Sequence, residues 1–206
     1  MDAEQLDAVG PEDLVPGAML ERRHLDGAVL GDLEIPGLQL FECVVSDCQG
    51  DRCVLPNLRA SGTTVIGTSL ASLEMPGATI FSGRFEGVRI GALLADGSDL
   101  SVLRIVSSRI DVLSLRDSRL RRIDIRDSHI GVLDLTGTRV REVTVTGGTL
   151  DELVPSRGRI DGFDVSGTEL GRVSDPGALA GATLSAQQAM ALGPSLAEHL
   201  GAIVVD

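Results

Sequence analysis

The stretch Leu100-Ser-Val-Leu-Arg-Ile105-Val-Ser-Ser-Arg-Ile110-Asp-Val-Leu-Ser-Leu115-Arg-Asp-Ser-Arg-Leu120 carries an aliphatic residue at every fifth position. Neither a helix, with 3.6 residues per turn, nor a long alternating strand produces a strict period of five. The column continues in both directions. Of the 32 positions divisible by five from Val15 to Leu170, 30 are apolar, with Gly50 and Pro155 the exceptions. At the chain's 43% apolar content about 14 would be expected.

A second column lies two residues earlier, which is the same face of an extended segment because side chains alternate with period two. From 93 to 173, numbers ending in 3 are large (Leu93, Leu103, Leu113, Ile123, Leu133, Val143, Leu153, Phe163, Val173). Numbers ending in 8 are small (Ser98, Ser108, Ser118, Ser128, Thr138, Gly148, Gly158, Thr168). Both columns are expected to point inward, the small one leaving room for the large one. Of the 17 numbers ending in 7 from Gly17 to Gly177, 11 are Gly, and Pro16-Gly17, Pro36-Gly37, Pro56-Asn57, Pro76-Gly77 and Pro176-Gly177 share one phase of 20. Pro followed by Gly or Asn marks a type II turn, whose second central residue takes positive φ. One coil therefore spans 20 residues with four five-residue faces. Numbers ending in 2 show no glycine preference, so those corners are expected to use a turn without positive φ.

Five-residue steps with an aliphatic centre and a small residue two before it resemble the pentapeptide-repeat family of right-handed quadrilateral parallel β-helices. Ser98-Asp99-Leu100 comes closest to that family's Ala-Asp/Asn-Leu core. Two departures mark this chain: Arg often precedes the centre, and every second small position is Leu, Ile or Val. A leucine-rich repeat is the rival, since Leu120-x-x-Ile123-x-Ile125 fits part of its consensus, but that unit needs an Asn and a helical side. The resemblance implies an all-β solenoid over 15–175 of about eight coils, on the order of 38 Å long at the strand spacing.

The register breaks after Val173. Ser185-Ala-Gln-Gln-Ala-Met-Ala-Leu-Gly193 and Pro194-Ser-Leu-Ala-Glu-His-Leu-Gly201 both read as short helices, the first with an N-cap Ser and a closing Gly. Residues 176–206 are thus expected to form a helical cap over an open strand edge. The resemblance implies a homodimer through such C-terminal helices. Residues 1–14 are polar and are expected to form a cap or tail.

Composition narrows the function. The acidic start lacks the basic and apolar regions of a signal peptide, and no stretch is long and apolar enough to span a membrane, so a cytoplasmic protein is expected. All 18 basic residues are Arg and the net charge is −12. With no Trp or Tyr and only four Phe, direct nucleic-acid binding is not expected, since it needs basic grooves and stacking platforms. Such a chain must also fill its core with aliphatics. A narrow tube lined by Leu, Ile and Val ladders is expected to suffice, with only Phe85 and Phe163 at inward positions.

Cys43, Cys48 and Cys53 fall five apart in the inward small-residue column, on successive faces, and read as buried packing residues rather than a metal site, which needs convergence. His24, His129 and His199 are scattered, with no nucleophile or carboxylate at a fixed offset. No phosphate-binding glycine loop remains once turns are assigned. No enzyme, metal or cofactor is expected.

The charge divides along the chain: residues 1–51 carry 12 acidic side chains and 2 Arg, whereas 104–141 carry 5 acidic and 9 Arg. Positions 20 apart should stack, so Arg119, Arg139 and Arg159 form one outward column with Arg121 and Arg141 beside it. Either Asp99, Asp117, Asp161 and Glu142 neutralise this stripe within the monomer, or the five arginines meet an anionic protein partner, a second copy's acidic end among the candidates. The expected function is a non-enzymatic interaction scaffold. The alternative, implied by the resemblance for some members, is a DNA mimic that binds a type II topoisomerase such as gyrase. Duplex DNA would carry roughly 22 charges over 38 Å, whereas this chain carries −12 with a basic middle.

Overall fold

A computed structural model describes residues 6–203, so residues 1–5 of the expected amino-terminal cap and 204–206 of the carboxy-terminal segment lie outside it. Strands 20 residues apart pair in parallel. Leu40 lies opposite Ala60, then Ile80, Leu100, Leu120 and Val140 follow in one ladder. The twenty strands among the described residues wind into a single sheet. In one coil, Thr79–Glu86 supplies two faces bent at Ser82, and Arg89–Leu94 supplies the other two.

The coils number about nine rather than about eight. Asp7–Ala8 already pairs with Arg23–His24, and Ala182–Thr183 still pairs with Phe163–Asp164. Their offsets of 16 and 19 break the period of 20, which hides both end coils from a periodicity count.

The inward columns form the core from Leu25 to Val173. The column fails at its start, where Val15 is 50% exposed, and in the small-residue column Gly148 and Gly158 are exposed too. At Gly147-Gly148, both at positive φ, the strand Arg139–Val154 takes up a register shift against its neighbour, so Gly148 is part of an irregularity rather than of the core.

The corners correct the turn expectation. Arg22, Glu42, Gly62, Ser82, Val102, Arg122, Glu142 and Gly162 all have positive φ, as do the residues ending in 7 from Gly17 to Gly147. Three of the four corners therefore pass through the left-handed region. The corner near residues 52, 72 and 92 does not. At the second corner side chains are tolerated because they stand outside the tube, but a β-branched Val102 at φ 57° is strained.

From Ser98 onward the small inward residues also carry hydrogen bonds. The Ser118 hydroxyl donates to the Ala95 carbonyl (3.0 Å) and accepts from the Ser98 N–H (3.0 Å). Ser98 does the same for Met75 and Ala78, and Ser128 accepts from Ser108 N–H. These hydroxyls give the buried Ser98 and Ser108 N–H groups their acceptors and add a second one to Ala78 N–H, which also reaches the Met75 carbonyl (3.2 Å).

Instead of two short helices, one helix α1 (Ala186–His199) runs through Gly193-Pro194. The residue before a proline is pushed from the helical region partly by its own Cβ, which Gly193 lacks. Its start agrees with the expected cap: Ser185 Oγ accepts from Gln188 N–H (3.2 Å) and Gln188 Oε1 accepts from Ser185 N–H (2.8 Å). The Gln188 amide also donates to the Val165 and Thr168 carbonyls, both at 2.8 Å, tying α1 to the last full coil.

Candidate functional site

The strand Arg119–Arg126 lies between Asp99–Val106 and Arg139–Val154. Two outward columns result: Asp99, Arg119, Arg139, and beside it Ser101, Arg121, Arg141, Asp161. Arg159 extends the first, next to Ile160, which pairs with Val140. Leu120 and Val140, the buried residues between the columns, point the arginines outward by simple alternation. Together the five arginines line a shallow groove of about 290 Å³, with Asp99 and Asp161 at its ends. All five are exposed.

Their electrostatics set them apart. Eleven of the 18 arginines make ion pairs within the described residues, for example Arg52–Glu74 (2.8 Å), Arg84–Glu86 (2.7 Å) and Arg116–Asp134 (2.6 Å). Of the seven that make none, Arg119, Arg121, Arg139 and Arg159 share this groove. Among the four acids expected to neutralise the stripe, only Glu142 reaches an arginine of the array, Arg141, at 3.8 Å, and it is shared with Arg122. Guanidinium groups stacked at the coil pitch of about 4.8 Å repel by up to about 1 kcal/mol per pair in water. The same face carries Phe81, 57% exposed, opposite Ser101 and two coils before Arg121.

The three cysteines are buried and free, as packing residues should be, and burial pushes the Cys53 thiol up to about 11. No group of His, Cys, Asp and Glu among the described residues could hold a metal. His129 stacks on Arg109 as the period requires, and its Nδ1 lies 2.5 Å from Thr149 Oγ1. His24 departs from expectation. Its Nε2 lies 2.7 Å from Ser46 Oγ, which donates to Asp26 Oδ1. Separation by one coil hides this contact from any short motif. It is not a nucleophile, base and orienter in sequence, because the serine proton goes to the carboxylate, and the His24–Asp26 distance is 3.9 Å. No helix among the described residues is long and apolar enough to cross a membrane.

No protein-family model matches the sequence, and no curated protein does. Solved structures of QnrB1, a plasmid-mediated fluoroquinolone resistance protein, are similar. The full-length form is 13% identical over 92% of this chain and 94% of its own, with a TM-score of 0.37. A trypsin-treated variant is 15% identical over 98% and 100%, with a TM-score of 0.36. The coil itself, twenty residues to a turn and five to a face with an aliphatic centre in each, is that of a parallel β-solenoid, the fold that the resemblance to pentapeptide repeats implies.

Proposed function

We propose that the protein is a non-enzymatic interaction scaffold that docks an acidic protein partner on the face bearing Arg119, Arg121, Arg139, Arg141 and Arg159. The observation that carries this reading is the stack of four arginines without acidic partners among the described residues. A folded chain that places like charges in register loses stability unless another surface neutralises them. The array is a lattice, about 4.8 Å between coils and about 6.8 Å between residues i and i+2. Acidic side chains on a β-sheet of the partner would match both spacings. Phe81, on the same face, offers an apolar contact at its edge.

The chain's own acids do not form such a lattice. Along the faces of the amino-terminal coils they alternate with neutral or basic residues: Asp26 is followed by Ser46 and Ile66, Glu34 by Val54, and Asp7 lies opposite Arg23. That favours a partner of different sequence over a second copy at this site. Self-association fits α1 better, where Met190 is 73% exposed. The topoisomerase alternative would need an anionic track along the rod. The array interrupts that track, which leaves only the amino-terminal coils for it, and a supercoiling assay with purified gyrase addresses it directly.

The test is titration with poly-L-glutamate at low and at physiological salt. The wild type is expected to bind with a salt-dependent affinity, and a chain carrying Arg119→Ala, Arg139→Ala and Arg159→Ala to bind at least tenfold more weakly. Equal binding by the two chains would overturn the reading.

A further inference from the structure

The amino-terminal coils enclose a cavity of about 110 Å³. Its lining begins at Val9 and Leu14, at the amino-terminal end of the tube, and stops at Phe85. Two inward columns explain it. One runs Cys43, Thr63, Gly83 and then enlarges to Leu103, Ile123, Val143 and Phe163. The other drops from Leu40 to Ala60 before returning to Ile80. Ala60 and Thr63, small in the same coil, leave the lumen unfilled there, whereas the Leu103 and Ile80 side chains take the space beside Gly83.

The cavity is apolar in effect as well as in lining. Its few heteroatoms are already used: Cys43 Sγ donates to the Leu20 carbonyl (3.3 Å), Thr63 Oγ1 to the Leu40 carbonyl (3.2 Å) and Thr68 Oγ1 to the Ile66 carbonyl (3.2 Å), while Arg23 and Arg84, which also line it, pair with Asp7 (2.6 Å) and Glu86 (2.7 Å). Burial keeps the Cys53 thiol protonated. A buried water needs two to four polar partners, and an apolar cavity on the order of 150 Å³ stays dry and binds xenon or benzene. We propose that the amino-terminal coils hold a dry internal site for a small uncharged hydrocarbon, smaller than benzene, entering from the amino-terminal end beside Leu14. The site is separate from the arginine face and does not depend on its partner.

Xenon is the probe. In methyl proton–carbon spectra of the full chain under xenon pressure, saturable shifts are expected at Leu25, Leu40, Leu55 and Leu70, and none at Leu113 or Leu133. Ala60→Leu restores the interrupted column. It should abolish the saturable shifts and raise the melting temperature by a few degrees. Cys53→Val, a smaller filling, should weaken xenon binding severalfold and serves if the first variant does not fold. Shifts that fail to saturate, or that spread equally to Leu113 and Leu133, would overturn the proposal. So would dipolar contacts from these methyls to a resident water.

Discussion

The coils before Val88 and those after it obey one period but are packed differently. The twelve largest fully buried side chains, from Val88 and Leu100 to Phe163, all lie in the later coils, whereas the earlier ones surround the cavity. In the later coils inward small residues are hydroxyl-bearing, and Ser98, Ser118 and Thr138 stack so that each hydroxyl accepts from the coil before. In the earlier coils the column of Ser98 holds Leu38, Leu58 and Ala78 instead, and the polar inward residues there, Cys48 and Thr68 in the column of Ser108 and Cys43 and Thr63 in the column of Leu103, donate to carbonyls. The period of five thus guarantees that a residue points inward, but not that the lumen is full or the corner N–H groups are served. At about 24 cal/mol per Å³, the unfilled 110 Å³ corresponds to about 2.6 kcal/mol of forgone packing.

The strongest way to break this contrast is to enlarge an alanine on each side of it. Ala95 is fully buried among Met75, Leu115 and other large neighbours and does not line the cavity; Ala60 does. Ala95→Leu is expected to destabilise by about 3 kcal/mol through overpacking. Ala60→Leu should stabilise by about 1 kcal/mol. Chemical denaturation of the two variants checks both signs, and a loss of stability in both would mean the two regions are packed alike.

Next in size is the hydroxyl ladder. Ser118→Ala leaves the Ser98 N–H buried without its acceptor and should cost about 2 kcal/mol. Thr63→Val removes a hydroxyl that donates to the Leu40 carbonyl but accepts from no corner N–H among the described residues, and should cost about 1 kcal/mol. Amide exchange at Ser98 distinguishes the mechanisms: it should accelerate in Ser118→Ala more than global destabilisation explains.

What could be read from the residues follows the same division. The inward column and the arginine array were legible because each depends only on residue number: Ile110 and Ile130 are fully buried, and Arg119 stands opposite Arg139, as multiples of 5 and 20 require. The cavity was not, since volume depends on which sizes coincide across columns, and no single column reveals that. The positive φ at Arg22, Glu42 and Val102 was hidden because side chains that point to solvent mask the glycine preference. The His24–Ser46 contact needed both the period and the side-chain directions. The continuity of α1 past Pro194 depended on Gly193 lacking a Cβ, which overrides the usual stop signal.

The smallest expected difference is in acid. Asp134 has its side chain 9% exposed. Burial would raise its pKa, but the Thr136 hydroxyl (2.6 Å), the Thr136 N–H (2.9 Å) and Arg116 (2.6 Å) outweigh this and hold it below the usual carboxylate range. Ser166 does the same for Asp164, and Arg157 for Asp175, both toward the carboxy-terminal end. A carboxylate with a depressed folded-state pKa contributes stability that is present above its unfolded value, near 3.9, and disappears as pH falls through the folded value. In the earlier coils only the carboxylate of Glu86, paired with half-buried Arg84, is lowered among the described residues. Below about pH 4, hydrogen exchange should therefore quicken first in the coils around Asp134 and Asp164, and later around Leu40 and Leu55. Asp134→Asn should remove part of that difference. The gap is kept small by solvent, which screens the exposed Arg157–Asp175 pair. If the loosely packed coils exchange first at pH 3 as well as at pH 7, packing dominates stability in both regions and the carboxylates contribute little to the order in which the rod opens.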